Sequence, residues 1–335
     1  MAKMKAVQVS RAGGAFEVVE RDVPAPGEGE IRVKVEACGI CHSDAVVKYG
    51  FPGLSHPRVP GHEIAGTVEA VGARVTAWKE GDRVGVGWHG GHCFQCVSCR
   101  KGLFINCAAA KITGITHDGG YAEYAIVPAE SAARIPEGIG AAEAGPILCA
   151  GITTFNSLRN SGARAGDTVA IQGIGGLGHL AIQYAARMGF RTVALSRGAD
   201  KEELARQLGA HEYIDSKVVP AAEGLQRLGG ADLILATAPN GEAIASAVNG
   251  LKPRGKLLIV AAPHEPFTLS ALPLLSGKTI AGWPSGSAID SEETLAFSVL
   301  TGVRPRIETF PLEKAEEAYA RVIENQVRFR AVLVP

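Results

Sequence analysis

After about residue 150 the chain alternates short apolar segments with helical stretches of about ten residues. The segment 168–171 precedes a helical run that begins near Gly176, and the segment 191–196 precedes another at 201–210. Further apolar segments occur up to Trp283. Such alternation is typical of βαβ units on a parallel sheet. Six strands in this arrangement predict a doubly wound, Rossmann-type fold.

The first 135 residues show a different pattern. They contain short segments rich in Val and Ile with Gly and Pro between them, which is typical of β structure. These segments cover residues 5–9, 30–38, 63–72, 82–88 and 121–128. We expect an all-β, barrel-like domain of residues 1–150 and 284–335, with an irregular lobe at 89–117. A dinucleotide-binding domain of residues 151–283 is inserted into it, so the fold class is α/β plus β.

Composition limits the class of protein. The 335 residues are 46% hydrophobic and 20% charged, with 34 basic and 34 acidic side chains. This composition supplies a core and excludes a disordered chain. A balanced net charge speaks against nucleic acid or an anionic membrane as partner. Apolar runs are too short to cross a bilayer, and the first residues lack a secretory segment, so we expect a cytoplasmic protein.

Four cysteines lie in one short stretch with the spacing C-x2-C-x2-C-x7-C: Cys93, Cys96, Cys99 and Cys107. Four thiolates so close in sequence can complete a tetrahedral shell, which predicts a structural zinc site. An iron–sulfur cluster is the alternative, although the chain shows no other electron-transfer feature. His92 is a possible substitute ligand, but we expect it to face solvent because four cysteines are available.

A second set of metal-ligand residues is dispersed. Cys41, His62 and Cys149 would leave one coordination position open, as in a catalytic zinc site, and Glu63 adjoins the histidine. Each residue alone is weak evidence, because a buried cysteine is usually a small apolar side chain. Cys38 and Cys41 also form a C-x-x-C pair, so a redox dithiol is an open alternative.

The sequence GIGGLG at 173–178 lies between an apolar segment and a helical run. Gly173, Gly175 and Gly178 match G-x-G-x-x-G, in which glycines permit a tight turn and close approach of a pyrophosphate to a helix N-terminus. The motif alone is weak. Because it opens a βαβ series, we predict a dinucleotide site.

These motifs together resemble the zinc-containing alcohol dehydrogenases of the medium-chain dehydrogenase/reductase superfamily over nearly the whole chain. The motifs occur in the expected order: ACGICHSD (37–44), GHEIAG (61–66), the four-cysteine stretch, CAGITT (149–154), GIGGLG and RFRAVLV (328–334). The resemblance implies a GroES-like fold for the zinc-binding catalytic β domain. It implies reversible hydride transfer between a primary alcohol or its aldehyde and NAD(P), with two zinc ions per chain. It also implies a homo-oligomer, with a tetramer favoured over a dimer.

The resemblance also assigns roles to residues. Cys41, His62 and Cys149 hold the catalytic zinc, and Glu63 can exchange with its water. Asp44 orients His62, and Ser43 takes the alcohol proton. Relatives often have a further histidine that passes this proton to solvent. Here Val46 and its neighbours offer none, so the outer relay stays open.

For the cofactor, the resemblance implies that His42 and Arg330 contact the pyrophosphate and that Thr153 neighbours the nicotinamide. NAD-binding relatives have an acid after the second strand of the inserted sheet. Ser196 stands there instead, followed by Arg197 and with Lys201 nearby, which favours NADP(H) and leaves NAD(H) possible. The remaining cofactor-contact assignments are Gly173, Gly175, Gly176, Leu177, Gly178, Thr237 and Ala261.

The substrate pocket is assigned to Phe51, Trp88 and Trp283 by their place in the motif order. Aromatic walls favour a small-molecule primary alcohol or aldehyde over a polyol. A polyol or other secondary-alcohol dehydrogenase is the alternative within the superfamily. A zinc-lobed binding protein without activity is an alternative of another class, and a zinc-free quinone reductase is disfavoured by the many ligand candidates.

Overall fold

The computed structural model describes residues 2–263 and 265–335. Within them, the strands are β1 Lys3–Val9, β2 Phe16–Asp22, β3 Glu30–Gly39, β4 Ile64–Val71, β5 Arg83–Val86, β6 His89–Gly91, β7 Lys111–Ile112, β8 Tyr124–Pro128, β9 Ala132–Arg134, β10 Thr168–Gln172, β11 Arg191–Ser196, β12 Glu212–Asp215, β13 Ala231–Ala236, β14 Leu251–Ile259, β15 Thr279–Gly282, β16 Ile307–Pro311 and β17 Arg330–Val334. The α-helices are α1 Ala45–Tyr49, α2 Val97–Arg100, α3 Ala141–Pro146, α4 Ile152–Arg159, α5 Gly178–Arg187, α6 Glu202–Gln207, α7 Ala221–Arg227, α8 Gly241–Ala247, α9 Ala288–Thr301 and α10 Ala315–Ile323.

Contacts divide the chain into two compact units. The first comprises Met1–Ile152 and Gly286–Pro335, and the second comprises Thr153–Ser285. These boundaries lie two residues beyond those of the domains proposed from sequence. In the part of the chain that is described, no helix is long and apolar enough to cross a membrane.

The first unit is a β structure. Its main sheet has the order β16-β17-β3-β4-β5-β9, with β8 also paired to β3, and the pairings are antiparallel except between β16 and β17. Along β3 the buried and more exposed side chains alternate, as expected for a strand with one face on the core. Val33, Ile64 and Val84 belong to this core.

The second unit is a six-stranded parallel sheet in the order β12-β11-β10-β13-β14-β15. This is the strand order of a dinucleotide-binding fold. Every residue of β10 is buried, as expected for a central parallel strand covered on both faces. The predicted fold class, a GroES-like β domain with an inserted Rossmann domain, is confirmed.

The stretch between the β-rich part and the parallel sheet is helical, which the apolar pattern did not predict. Helix α3 runs into a π-helical segment, Ile147–Gly151, and then into α4. Pro146 ends α3, and proline lacks the N–H that an α-helical hydrogen bond would need. Cys149 lies in the π segment, a helix form that is frequent at functional sites.

Candidate metal centres and dinucleotide site

The lobe at residues 89–117 brings its four cysteines together. The Sγ atoms of Cys93, Cys96, Cys99 and Cys107 all lie within 4.8 Å of one another. Backbone N–H groups donate to two of them, from Cys96 to Cys93 Sγ and from Cys93 to Cys107 Sγ, both at 3.4 Å. Hydrogen bonds from the N–H groups of Cys99 and Ala108 lower the pKa of Cys96 to about 6, which favours the thiolate that a metal binds. The donor set fits a closed, structural zinc site.

His92 is half-buried, and its ring makes contacts that were not expected from the sequence. Its ring is stacked against Phe104 and tilted against Phe94, with both ring centroids 4.2 Å away. Its Nδ1 lies 3.2 Å from Nε2 of His89, in strand β6. These contacts were not predicted from the sequence, because the spacing of the cysteines indicates a metal site but does not indicate which rings pack against His92. His92 therefore packs the base of the lobe.

The dispersed residues also converge. Cys41, His62, Glu63 and Cys149 each offer a ligand atom within 4.8 Å of the others, and the two Sγ atoms lie 3.9 Å apart. His62 is 1% exposed and Glu63 is 0% exposed. Among the described residues, His62 Nε2 and Glu63 Oε2 are buried without a hydrogen-bond partner. Buried polar atoms normally have partners, so these atoms and two sulfurs fit a bound zinc ion with a protein carboxylate nearby.

The fold explains how three distant segments reach one place. Cys41 follows β3 and caps a short 3-10 turn, His42–Asp44, and His62 lies two residues before the start of β4. Strands β3 and β4 are antiparallel neighbours, and Cys38 is opposite Ile64 in their register. The register therefore places the end of β3 beside the start of β4. Cys149 comes from the π segment. Cys38 itself lies outside the cluster, and its Sγ is 3.7 Å from the carbonyl of Gly39.

Asp44 connects the ligands. Its Oδ1 lies 3.3 Å from Nδ1 of His62, and its Oδ2 accepts hydrogen bonds from the backbone N–H of Cys41 at 2.9 Å and from the Tyr121 hydroxyl at 2.7 Å. Tyr121 is fully buried. Sequence reasoning missed Tyr121 because a single tyrosine before a strand is an ordinary core residue. The contact spans 77 positions, and no local pattern reports it.

Arg330, the first residue of β17, is 4% exposed. Its guanidinium forms an ion pair with Glu63 and donates to the carbonyl of Ile40 at 3.0 Å. This arginine is therefore not a solvated surface charge. Its contact with a pyrophosphate stays a prediction.

Electrostatics favour the zinc-ligating protonation state at Cys41 and oppose it at His62, Glu63 and Cys149. The hydrogen bond between the two thiols lowers the pKa of Cys41 well below its usual value and raises that of Cys149. Burial lowers the pKa of His62, but its interactions with Asp44 and Cys41 outweigh burial and raise it. Burial raises the pKa of Glu63. Thiolate is the form of cysteine that ligates zinc, and binding releases protons from such groups.

In the second unit, the GIGGLG loop joins β10 to α5. Gly173 has a φ of +97°, and a Cβ on Gly178 would lie 1.9 Å from the Gly173 carbonyl oxygen, so both positions need glycine. At Gly175 a Cβ would meet no atom within 4 Å, which leaves open space at the N-terminus of the ten-residue helix α5. The Thr237 hydroxyl donates to the carbonyls of Gln172 and Gly173. The loop fits a pyrophosphate.

The end of β11 carries the residues predicted to choose the cofactor. Ser196 is half-buried at the last position of the strand, and Arg197 is exposed. Lys201 Nζ donates to the carbonyl of Ile174 at 3.1 Å, so this lysine reaches the glycine loop. Asp215, on the neighbouring strand, accepts hydrogen bonds from the N–H groups of Gly198 and Lys217.

The remaining predicted residues have varied positions. Trp88 packs edge-on against His62 with ring centroids 5.0 Å apart, so it borders the dispersed cluster. Phe51 is 64% exposed. His42 is exposed and Ser43 half-buried in the turn after Cys41. Thr153, Ala261 and Trp283 belong to the second unit.

Comparisons with known proteins agree with this architecture. Residues 27–137 match the family model "Alcohol dehydrogenase GroES-like domain", and residues 176–299 match "Zinc-binding dehydrogenase". Alcohol dehydrogenase patD of Penicillium expansum is 50% identical over 321 residues, covering 96% of this chain and 94% of that protein.

Solved structures agree as well. A cinnamyl alcohol dehydrogenase of Sorghum bicolor (SbCAD4) superposes with a TM-score of 0.90 at 31% identity, covering 99% of this chain and 98% of the other. The structure of CAD from Helicobacter pylori complexed with NADP(H) superposes with a TM-score of 0.88 at 26% identity and the same coverage.

A GroES-like unit, a zinc-type ligand cluster and a Rossmann sheet together define the medium-chain dehydrogenase/reductase architecture. The chain belongs to the zinc-containing alcohol dehydrogenases of that superfamily. The relatives support an oxidoreductase that acts on alcohols or aldehydes with zinc and a nicotinamide cofactor.

Proposed function

We propose that this protein interconverts primary alcohols and aldehydes with a zinc ion held by Cys41, His62 and Cys149, and with NADP(H) as the favoured cofactor. The observation that carries the proposal is the convergence of these three residues from distant segments, with two buried polar atoms left without partners. A second zinc ion in the four-cysteine lobe has a structural role.

Zinc bound at this site supplies a Lewis acid that lowers the pKa of an alcohol hydroxyl. The protein prepares the ligands for it. The Nδ1–H of His62 faces the Asp44 carboxylate, which fixes the tautomer and keeps Nε2 as the ligating atom. Glu63 provides a further carboxylate oxygen within the cluster, and Arg330 neutralises its charge.

Proton transfer is assigned to Ser43. Its hydroxyl stands on the short turn between Cys41 and Asp44 and is half-buried, so it neighbours the metal ligands while solvent stays accessible. In this proposal Ser43 Oγ accepts the proton of the alcohol as its own hydroxyl proton passes to solvent. His42, Arg330 and Thr153 would hold the cofactor, which would supply the hydride acceptor.

The cofactor preference depends on Ser196 and Arg197. A carboxylate at the end of β11 would repel a 2′-phosphate, whereas a hydroxyl and a guanidinium can bind one. Lys201 adds a cation beside the glycine loop. We also assign cofactor contacts to Gly176 and Leu177, which belong to the glycine motif, and to Ala261. The Thr237 hydroxyl binds two backbone carbonyls at the start of the glycine loop, so we propose that Thr237 supports the loop that contacts the cofactor.

The test of this preference is to compare kcat/KM for NADP and NAD in the wild type and in Arg197→Ala. We expect the variant to lose roughly 10- to 100-fold with NADP, since a hydrogen bond to a charged group is worth about 1.5–3 kcal/mol, and to keep its rate with NAD. Arg206→Ala, which removes an exposed arginine paired with Glu202, is the matched control. A wild type that prefers NAD would refute the assignment.

The substrate class depends on Trp88, whose ring lies against His62. An aromatic wall beside the metal ligands favours a narrow, apolar site suited to a primary alcohol. A panel of primary alcohols, aldehydes and sorbitol tests this. Turnover of sorbitol above that of the primary alcohols would favour a polyol dehydrogenase, and no turnover by zinc-replete protein would favour a binding protein. The homotetramer remains a prediction, and the molar mass of the protein in solution, measured by light scattering, would test it.

A further inference from the structure

Tyr121 is held in place by its burial and by backbone hydrogen bonds. The ring is fully buried, and its backbone is fixed on both sides, by the N–H of Val7 bonded to its carbonyl at 2.7 Å and by its own N–H bonded to the carbonyl of Pro60 at 3.0 Å. Pro60 lies two positions before His62. A Cβ on Gly61 would approach the Tyr121 ring to 2.4 Å, so the glycine beside His62 makes room for this ring.

The hydroxyl of Tyr121 reaches Asp44, a carboxylate that touches two of the proposed metal ligands. Asp44 receives the Tyr121 hydroxyl and the Cys41 N–H on Oδ2, while Oδ1 faces Nδ1 of His62. The carboxylate is 2% exposed, so water is not available to replace a lost donor. Without the tyrosine hydroxyl, Oδ2 would keep a single donor, and the carboxylate could turn away from both Cys41 and His62.

We propose that Tyr121 is a positioning residue for the catalytic metal: its hydroxyl fixes the Asp44 carboxylate, which in turn holds Cys41 and His62 in ligating geometry. The inference rests on the proposed zinc site at Cys41, His62 and Cys149. Partners of metal-bound histidines typically change metal affinity or activity by roughly 10- to 100-fold when removed.

A second buried tyrosine provides a matched control. Tyr319 is 3% exposed, and both tyrosines pack edge-on against Phe16, with ring centroids at 6.0 Å for Tyr121 and 5.1 Å for Tyr319. Among the residues that the structure describes, the Tyr319 hydroxyl has no hydrogen-bond partner. Tyr319→Phe and Tyr121→Phe therefore remove the same atom from similar surroundings, and only the second breaks a contact to Asp44.

The experiment follows zinc release from the full-length zinc-loaded protein to a chromophoric chelator. Zinc release from Cys149→Ser serves as the reference: the kinetic phase that is present in the wild type and absent in this variant is zinc release from the dispersed site. We expect this phase to be roughly 10- to 100-fold faster in Tyr121→Phe and unchanged in Tyr319→Phe. Cobalt-substituted Tyr121→Phe should also show altered visible absorption, since the ligand field at the metal reports ligand geometry. kcat should fall more than KM changes.

A double variant separates positioning from simple loss of packing. If Tyr121 acts through Asp44, then Tyr121→Phe has no further effect on zinc release in an Asp44→Asn background. Equal release rates and equal cobalt spectra for Tyr121→Phe and the wild type would overturn the proposal, as would full additivity in the double variant. Failure of the proposed function is a separate result, because then wild-type protein has no Cys149-dependent zinc phase and no alcohol dehydrogenase activity.

Discussion

The two cysteine clusters use similar ligands but are assembled in opposite ways. In the lobe, Cys93 and Cys107 are separated by 14 positions, and backbone N–H groups of the same loop donate to the sulfurs. In the dispersed site, Cys41 and Cys149 are separated by 108 positions and stand on different elements of the first unit.

Because of this difference, we expect the conformation of the lobe to depend on its metal ion and the conformation of the dispersed site to depend on it much less. The lobe has two short strands and a one-turn helix of its own, so its loop conformation depends largely on the ion that joins its cysteines. The dispersed ligands are held by β3, β4 and the π segment, all part of a buried core. Removing the metal should therefore unfold the lobe locally and leave the dispersed site's scaffold folded.

The largest expected effect is on activity. Cys149→Ser should lower kcat/KM by roughly 10³-fold or more, because a Lewis acid contributes several kcal/mol to the transition state and about 1.4 kcal/mol is tenfold in rate. Zinc content should fall from two ions per chain to one, with little change in the midpoint of thermal unfolding. Metal analysis and kinetics on one preparation check this. Near-normal activity in this variant would remove the distinction between the sites.

The complementary change is Cys96→Ser in the lobe. We expect the midpoint of thermal unfolding to fall by about 6–12 °C, taking roughly 3 kcal/mol, the upper end of the usual range for one substitution, and about 2–4 °C per kcal/mol. Activity per folded molecule at low temperature should remain within about twofold. Calorimetry and kinetics measure the two effects. Loss of activity without loss of stability would show that the lobe takes part in the reaction.

A smaller effect is expected on the pH dependence of stability, through His117 in the lobe. Burial lowers the pKa of His117 to about 4, with help from the positive charges of Lys111 and Arg58. Because this pKa lies below the usual value of 6.5, the unfolded chain binds more protons than the folded one between pH 6.5 and pH 4. Stability is therefore lost as the pH falls through this window, by at most about 1.4 kcal/mol per pH unit.

His117→Gln should therefore make the thermal midpoint less sensitive to acid between pH 6.5 and pH 5, with no change in sensitivity above pH 7. Unfolding measured across this range in both proteins checks the expectation. An identical slope in the two proteins would mean that His117 is not buried in its neutral form.

The smallest effect is expected for Cys38, the cysteine of the first unit that belongs to neither cluster. Cys38→Ala should lower the free energy of unfolding by about 1 kcal/mol, since it removes one buried sulfur, and leave zinc content and kcat unchanged. A redox dithiol of Cys38 and Cys41 would instead make this variant inactive. Urea unfolding and zinc analysis distinguish the two results.

Much of the fold could be predicted because its signals are local. The alternation around β10, α5 and β11 reports buried parallel strands, and the fold class is confirmed. Strand β2 was missed because its burial alternates only weakly. The helical stretch from Ala141 to Arg159 was missed because its apolar run resembles a buried strand, and periodicity alone does not separate the two.

The site could be predicted in part for the same reason. The four cysteines of the lobe are close in sequence, so spacing alone brings them together. The dispersed ligands became visible only as a set of motifs in a known order, and Tyr121 remained invisible. Its contact with Asp44 depends on how two distant segments pack against each other, and the residue types alone do not predict that packing. The ring contacts of His92 were missed because stacking on Phe104 depends on tertiary geometry.

The most direct test of the two-site account is a crystal structure of the wild type with anomalous diffraction measured at the zinc absorption edge. We expect two peaks per chain: one surrounded by four sulfur atoms in the lobe, and one bonded to the sulfurs of Cys41 and Cys149 and to Nε2 of His62. A protein loaded with zinc that shows the lobe peak alone would contradict the account.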